Sequence, residues 1–97
     1  MIKSFKDGGT EDVFNDDHSR AARRICPEQI WRIARRKLEQ LDSVAELRLL
    51  AIPPANRLEP LKGDRKGQHS IRINDQHRVV FTWTALGAED VEIVDYH

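Results

Sequence analysis

Residues 56–83, NRLEPLKGDRKGQHSIRINDQHRVVFTW, decide the fold of this 97-residue chain. The stretch opens with a short extended run and passes through a basic loop bounded by Gly63 and Gly67. It then becomes an apolar alternation with a period of two. That period predicts two strands joined by a tight turn at Asn74, Asp75 and Gln76. On the first strand His69, Ile71 and Ile73 share one face, with Ser70 and Arg72 on the other. On the second, Val79, Phe81 and Trp83 share a face, with Arg78, Val80 and Thr82 on the reverse. This register sets His69 against Phe81 and His77 against Ile73.

Downstream, a turn at Gly87 leads to a last strand. There Val91 and Ile93 face one way and Glu92, Val94 and Tyr96 the other. Upstream, the period is helical. Pro27 marks the start of the main helix, a position where its missing N–H loses nothing. Ile30, Ile33, Ala34, Leu38 and Leu41 cluster on one arc, and Arg32, Arg35, Arg36 and Glu39 on the opposite one. Lys37 falls within the apolar arc, where its stem can snorkel to water. Ser43 and Glu46 have capping-box spacing for a second short helix to about Leu50, and Pro53 and Pro54 stop it. Nearer the start, Ile2 to Phe5 alternates as a first strand, broken by Gly8 and Gly9. Thr10 is placed to cap a short helix through Val13 and Phe14. Residues 15–20 read as loop. The expected fold is therefore α+β: a single domain, 1–97, with N-terminal helices packed on an antiparallel sheet of about four to five strands.

Charged residues make up 33% and hydrophobic residues 39% of the chain, the balance of a folded domain rather than a disordered tail. No apolar run approaches a membrane span, no signal-peptide core is present, and Cys26 has no partner for a disulfide. These features point to the cytoplasm. The formal net charge of zero hides two basic blocks, +6 over residues 20–37 and +3 over residues 57–78. A neutral protein with such blocks can bind a polyanion, or an acidic protein, without general stickiness.

Four groups of residues are candidates for chemistry. The loop carrying Lys62, Arg65 and Lys66 between Gly63 and Gly67 suits a phosphate, and serves equally as a turn kept soluble by charge. Arg78 heads an otherwise apolar strand, either as a charge guarding an edge or as a planar fork aimed at a phosphate. Asp95, Tyr96 and His97 place a carboxylate, a phenol and an imidazole together. Acid–base cleavage of RNA needs a base for the 2′-hydroxyl, cations for the phosphorane and a proton donor for the leaving oxygen. Arg20, Arg23, Arg24, Arg32, Arg35 and Arg36 form a solvated basic face or a surface for RNA or an acidic partner. His18, His69, His77 and His97 lack paired metal-ligand spacing, and no cofactor is expected.

Together MIKSF, PPANRLEPLKGDRKGQHSIRINDQHRVVF and VEIVDYH resemble the HigB toxins of the RelE/ParE superfamily, over essentially the whole chain. The resemblance implies a RelE-like, microbial-ribonuclease-type fold and a toxin of a type II toxin–antitoxin system. It implies a ribosome-dependent endoribonuclease, an mRNA interferase that cuts translated mRNA in the ribosomal A site. It further implies a HigA-type helix-turn-helix antitoxin through which alone operator DNA is met. Catalytic roles carry over to Lys62, Arg78, Asp95, Tyr96 and His97. Glu59 stands where some members have a histidine, so it enters as a candidate base that gives phosphate no cationic contact. His77 stands where tryptophan is common, a change expected to bear on packing. Arg65, Lys66, Arg72, Arg32, Arg35 and Arg36 are expected to contact RNA. Two other functions fit the same fold: a ParE-like toxin acting on DNA gyrase, and a degenerate toxin acting only as its antitoxin's partner or corepressor.

Overall fold

A computed structural model describes residues 1–95. Three α-helices, α1 (Gly8–Phe14), α2 (Arg20–Ile25) and α3 (Trp31–Ser43), precede a four-stranded sheet. The strands are β1 (Glu59–Pro60), β2 (Gln68–Arg72), β3 (His77–Thr84) and β4 (Gly87–Asp95), each antiparallel to the next in that order.

The sheet follows the alternation. His69 pairs with Phe81, and Ile73 N donates to His77 O at 3.0 Å, the register the sequence implies. Ile71, Val79, Phe81, Val91 and Ile93 are buried on the inner face, against Ala34, Leu38 and Leu41 of α3. Burial of these side chains contributes on the order of 1.5–3 kcal/mol each, which is what holds sheet and helices together. Ile2 to Phe5 lies along β4 as expected for a first strand, but as two parallel bridges, to Ala88 and Val91. Ala88 N donates to Met1 O at 2.9 Å, so backbone meets backbone beside Gly87. A β-carbon on Gly87 would strike that same Met1 carbonyl.

The helical region departs from expectation in four places. Asp7, not Thr10, caps α1: its Oδ1 accepts from Thr10 N at 2.7 Å. Gly8 and Gly9 are helical rather than breaking, and Thr10 is buried, its Oγ1 accepting from Ile93 N at 3.0 Å. Residues 20–25 form α2, where the sequence showed no separate helix. Ser19 caps it, accepting from Ala22 N at 3.0 Å and donating to Asp12 Oδ2 at 2.6 Å. Pro27 precedes a 3-10 turn, Glu28–Ile30, so the main helix begins only at Trp31. Ser43 ends α3, donating to Gln40 O at 2.9 Å, and Glu46 pairs instead with Arg48. A 3-10 turn, Leu47–Ala51, replaces the second helix.

Asn56 locks the return to the sheet. It is fully buried, donating to Gln40 Oε1 at 2.9 Å and Leu50 O at 3.0 Å, and accepting from Lys37 Nζ at 2.5 Å. Lys37 thus ends on a protein acceptor instead of snorkelling to water. Its pKa is lowered by burial first, then by the charges of Arg36 and Arg72.

Candidate active site

Directly opposed residues in a sheet point the same way, so the register defines the outer face. Glu59, Ser70, Val80 and Glu92 form one cross-strand row; Arg72, Arg78 and Val94 form the next. β1 is only two residues long, and its pairing with Ser70 and His69 brings Glu59 onto this face.

Glu59 Oε1 lies 3.2 Å from Arg78 Nη1, and Arg78 Nη2 donates to Arg57 O at 2.7 Å. The Arg78 side chain is only 13% exposed, so it does not project freely to solvent as the alternation alone suggested. Carboxylate and carbonyl together fix a planar fork that is already largely dehydrated. Arg57 adopts a left-handed backbone (φ 47°), uncommon outside glycine, after the Pro54–Asn56 turn. Next to this pair a cleft of about 270 Å³ is lined by Arg57, Arg72, Asn74, Asp75 and Arg78.

The basic loop divides. Gly63 (φ 62°) and Gly67 (φ 95°) supply its left-handed corners. Lys62 and Lys66 are exposed and, among the described residues, join no ion pair. Arg65 does otherwise. It crosses the outer face to Glu92, 3.3 Å away, and Lys6 approaches the same carboxylate at 3.3 Å. Glu92 is 12% exposed and buried beside Val80 and Ser70, so the loop roofs this row of the sheet. Arg65 is therefore a strut of the loop, and not the open RNA contact that its sequence position suggests.

The other expected residues are not gathered here. Asp95 pairs with His77 in register, on the inner face, and accepts from Gln76 Nε2 at 3.0 Å. It shares a shallow cleft with Arg23, Arg24 and Cys26, across the sheet from Glu59 and Arg78. Tyr96 and His97 lie outside the described residues. Arg32, Arg35 and Arg36 line a separate cleft of about 460 Å³ between α1 and α3, together with Asp12, Asp16 and Trp31. Arg35 is 3.8 Å from Asp16 and 3.9 Å from Glu39, so acids on both sides offset its charge. Two residues that the sequence did not single out matter here. Arg57 was visible only as one cation of a basic block, and Glu92 as an acid set between two buried apolar positions.

Cys26 is buried, with Trp31 Nε1 donating to its carbonyl at 3.0 Å. Burial pushes its thiol pKa up to about 11, so the nucleophilic thiolate is disfavoured. Among the described residues, no group of three or more His, Cys, Asp or Glu side chains could hold a metal ion. Among the same residues, no helix is long and apolar enough to cross a membrane.

The profile of the HigB-like toxins, RelE-like toxins of type II toxin–antitoxin systems, matches residues 3–97. The chain belongs to this family. It is similar to Toxin HigB-1 of Vibrio cholerae serotype O1, 42% identical over 83 residues that span 86% of this chain and 84% of that one. It is 32% identical over 97 residues, the whole of both chains, to Endoribonuclease HigB of Proteus vulgaris. Two solved structures share its fold. A YoeB/ParE toxin from Agrobacterium tumefaciens superposes with a TM-score of 0.53, covering 98% of this chain and 99% of that one at 20% identity. A YoeB–YefM complex from Staphylococcus aureus gives 0.54, covering 100% and 98% at 18% identity. The expected RelE-like fold is thus the observed one. Membership of a toxin–antitoxin family also brings an antitoxin partner to this HigB-like toxin.

Proposed function

We propose that this HigB-like toxin is an endoribonuclease that cuts translated mRNA in the ribosomal A site by acid–base chemistry of its own side chains. The observation that carries this is the Glu59–Arg78 pair, 3.2 Å apart on the outer face. A carboxylate held beside a guanidinium supplies both a base and a cation for the phosphorane within one phosphodiester's reach. Glu59 takes the proton of the 2′-hydroxyl while the 2′ oxygen attacks the adjacent phosphorus. The P–O5′ bond breaks, the 5′ oxygen gains a proton, and the products are a 2′,3′-cyclic phosphate and a 5′-hydroxyl. Arg78 holds the equatorial oxygens, with Lys62 reaching in from the loop.

His97 is assigned as proton donor and Tyr96 as the base-stacking ring, on the resemblance of the terminal Asp-Tyr-His to the family. Asp95, which faces the other side of the sheet, is assigned only the anchoring of that terminus through Gln76. The cytoplasm is the proposed site of action. A HigA-type helix-turn-helix antitoxin is the proposed silencing partner, and operator DNA is met only through it. An open face with exposed Lys62 and Lys66 supports a requirement that ribosomal RNA complete the geometry.

The test is mRNA cleavage in a purified translation system, with and without ribosomes. Ribosome-dependent cuts ending in 2′,3′-cyclic phosphate are expected. Equal cutting of free mRNA would contradict the ribosome requirement, and an intact message with inhibited DNA gyrase would replace the ribonuclease with the ParE-like activity.

A further inference from the structure

We infer that the cleft between Arg57, Arg72 and Arg78 is a second phosphate site, taking the internucleotide phosphate next to the one cut at Glu59. The inference rests on the ribonuclease function proposed above. β2 and β3 set Arg72 directly opposite Arg78, and like charges opposed across a ladder destabilise it unless an anion lies between them. Arg57 lines the same cleft as a third basic residue.

Among the described residues, two carboxylates pair with these three charges. Glu59 holds Arg78, and Asp75 holds Arg72. The Asp75 side chain is 98% exposed, so its pair is a weak, screened one that an incoming polyanionic backbone can replace. A phosphate, by contrast, accepts two parallel bonds from a planar guanidinium.

Arg78 lines the cleft and also touches Glu59, so a phosphate in the cleft and one at Glu59 belong to adjacent linkages of a single strand. The site fixes the register of the strand without touching a base. Arg57 and Arg72 are thereby positioning residues, and their loss weakens cutting at every codon alike.

The experiment uses ribosomes programmed with a short mRNA in which one linkage at a time is made a neutral methylphosphonate. Neutralising one linkage flanking the cut is expected to slow the wild-type toxin about tenfold, the worth of one charge-assisted contact. Arg57→Ala/Arg72→Ala is expected to be slower on the all-phosphate message and indifferent to that substitution. Arg72→Gln, which relieves the facing charges and keeps the fold, is expected to show a partial form of the same insensitivity. Wild-type rates in these variants, or undiminished sensitivity to the neutral linkage, would overturn the second site.

The ribonuclease function fails separately, if wild-type toxin cuts nothing. The cleft is then read directly by NMR, as shifts of the Arg57 and Arg72 Nε–H signals on adding a trinucleotide with two phosphodiesters. Shifts that vanish with its methylphosphonate analogue sustain the site, and no shifts overturn it.

Discussion

Glu59 occupies a position at which a histidine would offer both a base and a cation, and the structure shows where a lone carboxylate finds a borrowed charge. Its cation is Arg78, 3.2 Å away and already largely dehydrated. Glu59→Gln keeps a hydrogen-bond acceptor for Arg78 but removes the base, so single-turnover cleavage should fall about 100-fold with little change in melting temperature. Full activity in Glu59→Gln would assign the base elsewhere. Cys26 gives a second prediction at this scale. Its folded pKa, about 11, lies above the ordinary 9.0, so its contribution to stability is complete below pH 9 and is lost as pH rises to about 11. Melting temperatures measured from pH 8 to 11 should therefore decline more steeply for the wild type than for Cys26→Ala. Parallel curves would show that the thiol does not titrate as its burial requires. Glu59 was legible as a candidate base at a departure from the family pattern, but its Arg78 partner was not. The helix α2 that ends at Cys26 was likewise one the sequence did not announce.

At the scale of elements, strands were legible and short helices were not. The alternation from His69 to Trp83 admits one register, because a slip by one residue would turn Ile71, Val79 and Phe81 outward. α2 has only Ala21, Ala22 and Ile25 as apolar positions, too few to display a helical period; the serine at position 19 was its one local signal. Ser43 and Glu46 have the spacing of a cap, yet α3 simply continues through Ser43 until Val44 turns extended. Gly9 is explained by the same hidden helix. A β-carbon there would lie 2.6 Å from Ala21 O and strike Ile25, so Gly9→Ala should cost about 1–3 kcal/mol in a denaturant titration. An unchanged midpoint would mean that α1 and α2 are not packed this closely. The loop over the sheet is governed by Glu92, which takes both Arg65 and Lys6. Glu92→Gln should lower stability by about 1–3 kcal/mol and reduce cleavage, because Lys62 loses its support. A variant that lost stability but cut at the wild-type rate would confine Glu92 to the fold.

Across the whole molecule the two faces of one sheet divide the work. The inner face carries the apolar side chains that pack on α3; the outer face carries Glu59, Arg72, Arg78 and the roofing loop. The basic blocks seen in the sequence separate accordingly. Residues 57–78 build the outer face, whereas the arginines of α3 open on a cleft they share with Asp12 of α1 and Asp16 just after it. No periodicity could show that second fact, since it depends on which helix comes to lie beside which. Binding to programmed ribosomes should weaken with salt, with a slope that falls when Lys62 or Arg78 is removed and changes less for Arg35→Ala. A larger loss for Arg35→Ala would move the RNA contact to the helix layer.

The most direct measurement is single-turnover cleavage of ribosome-bound mRNA by wild-type toxin and Arg78→Ala, with the melting temperature of each recorded alongside. An active site centred on Arg78 predicts a fall of at least about 100-fold for Arg78→Ala in a protein that remains folded. Wild-type cleavage by a folded Arg78→Ala variant would contradict it, and would remove the active site from the outer face of the sheet.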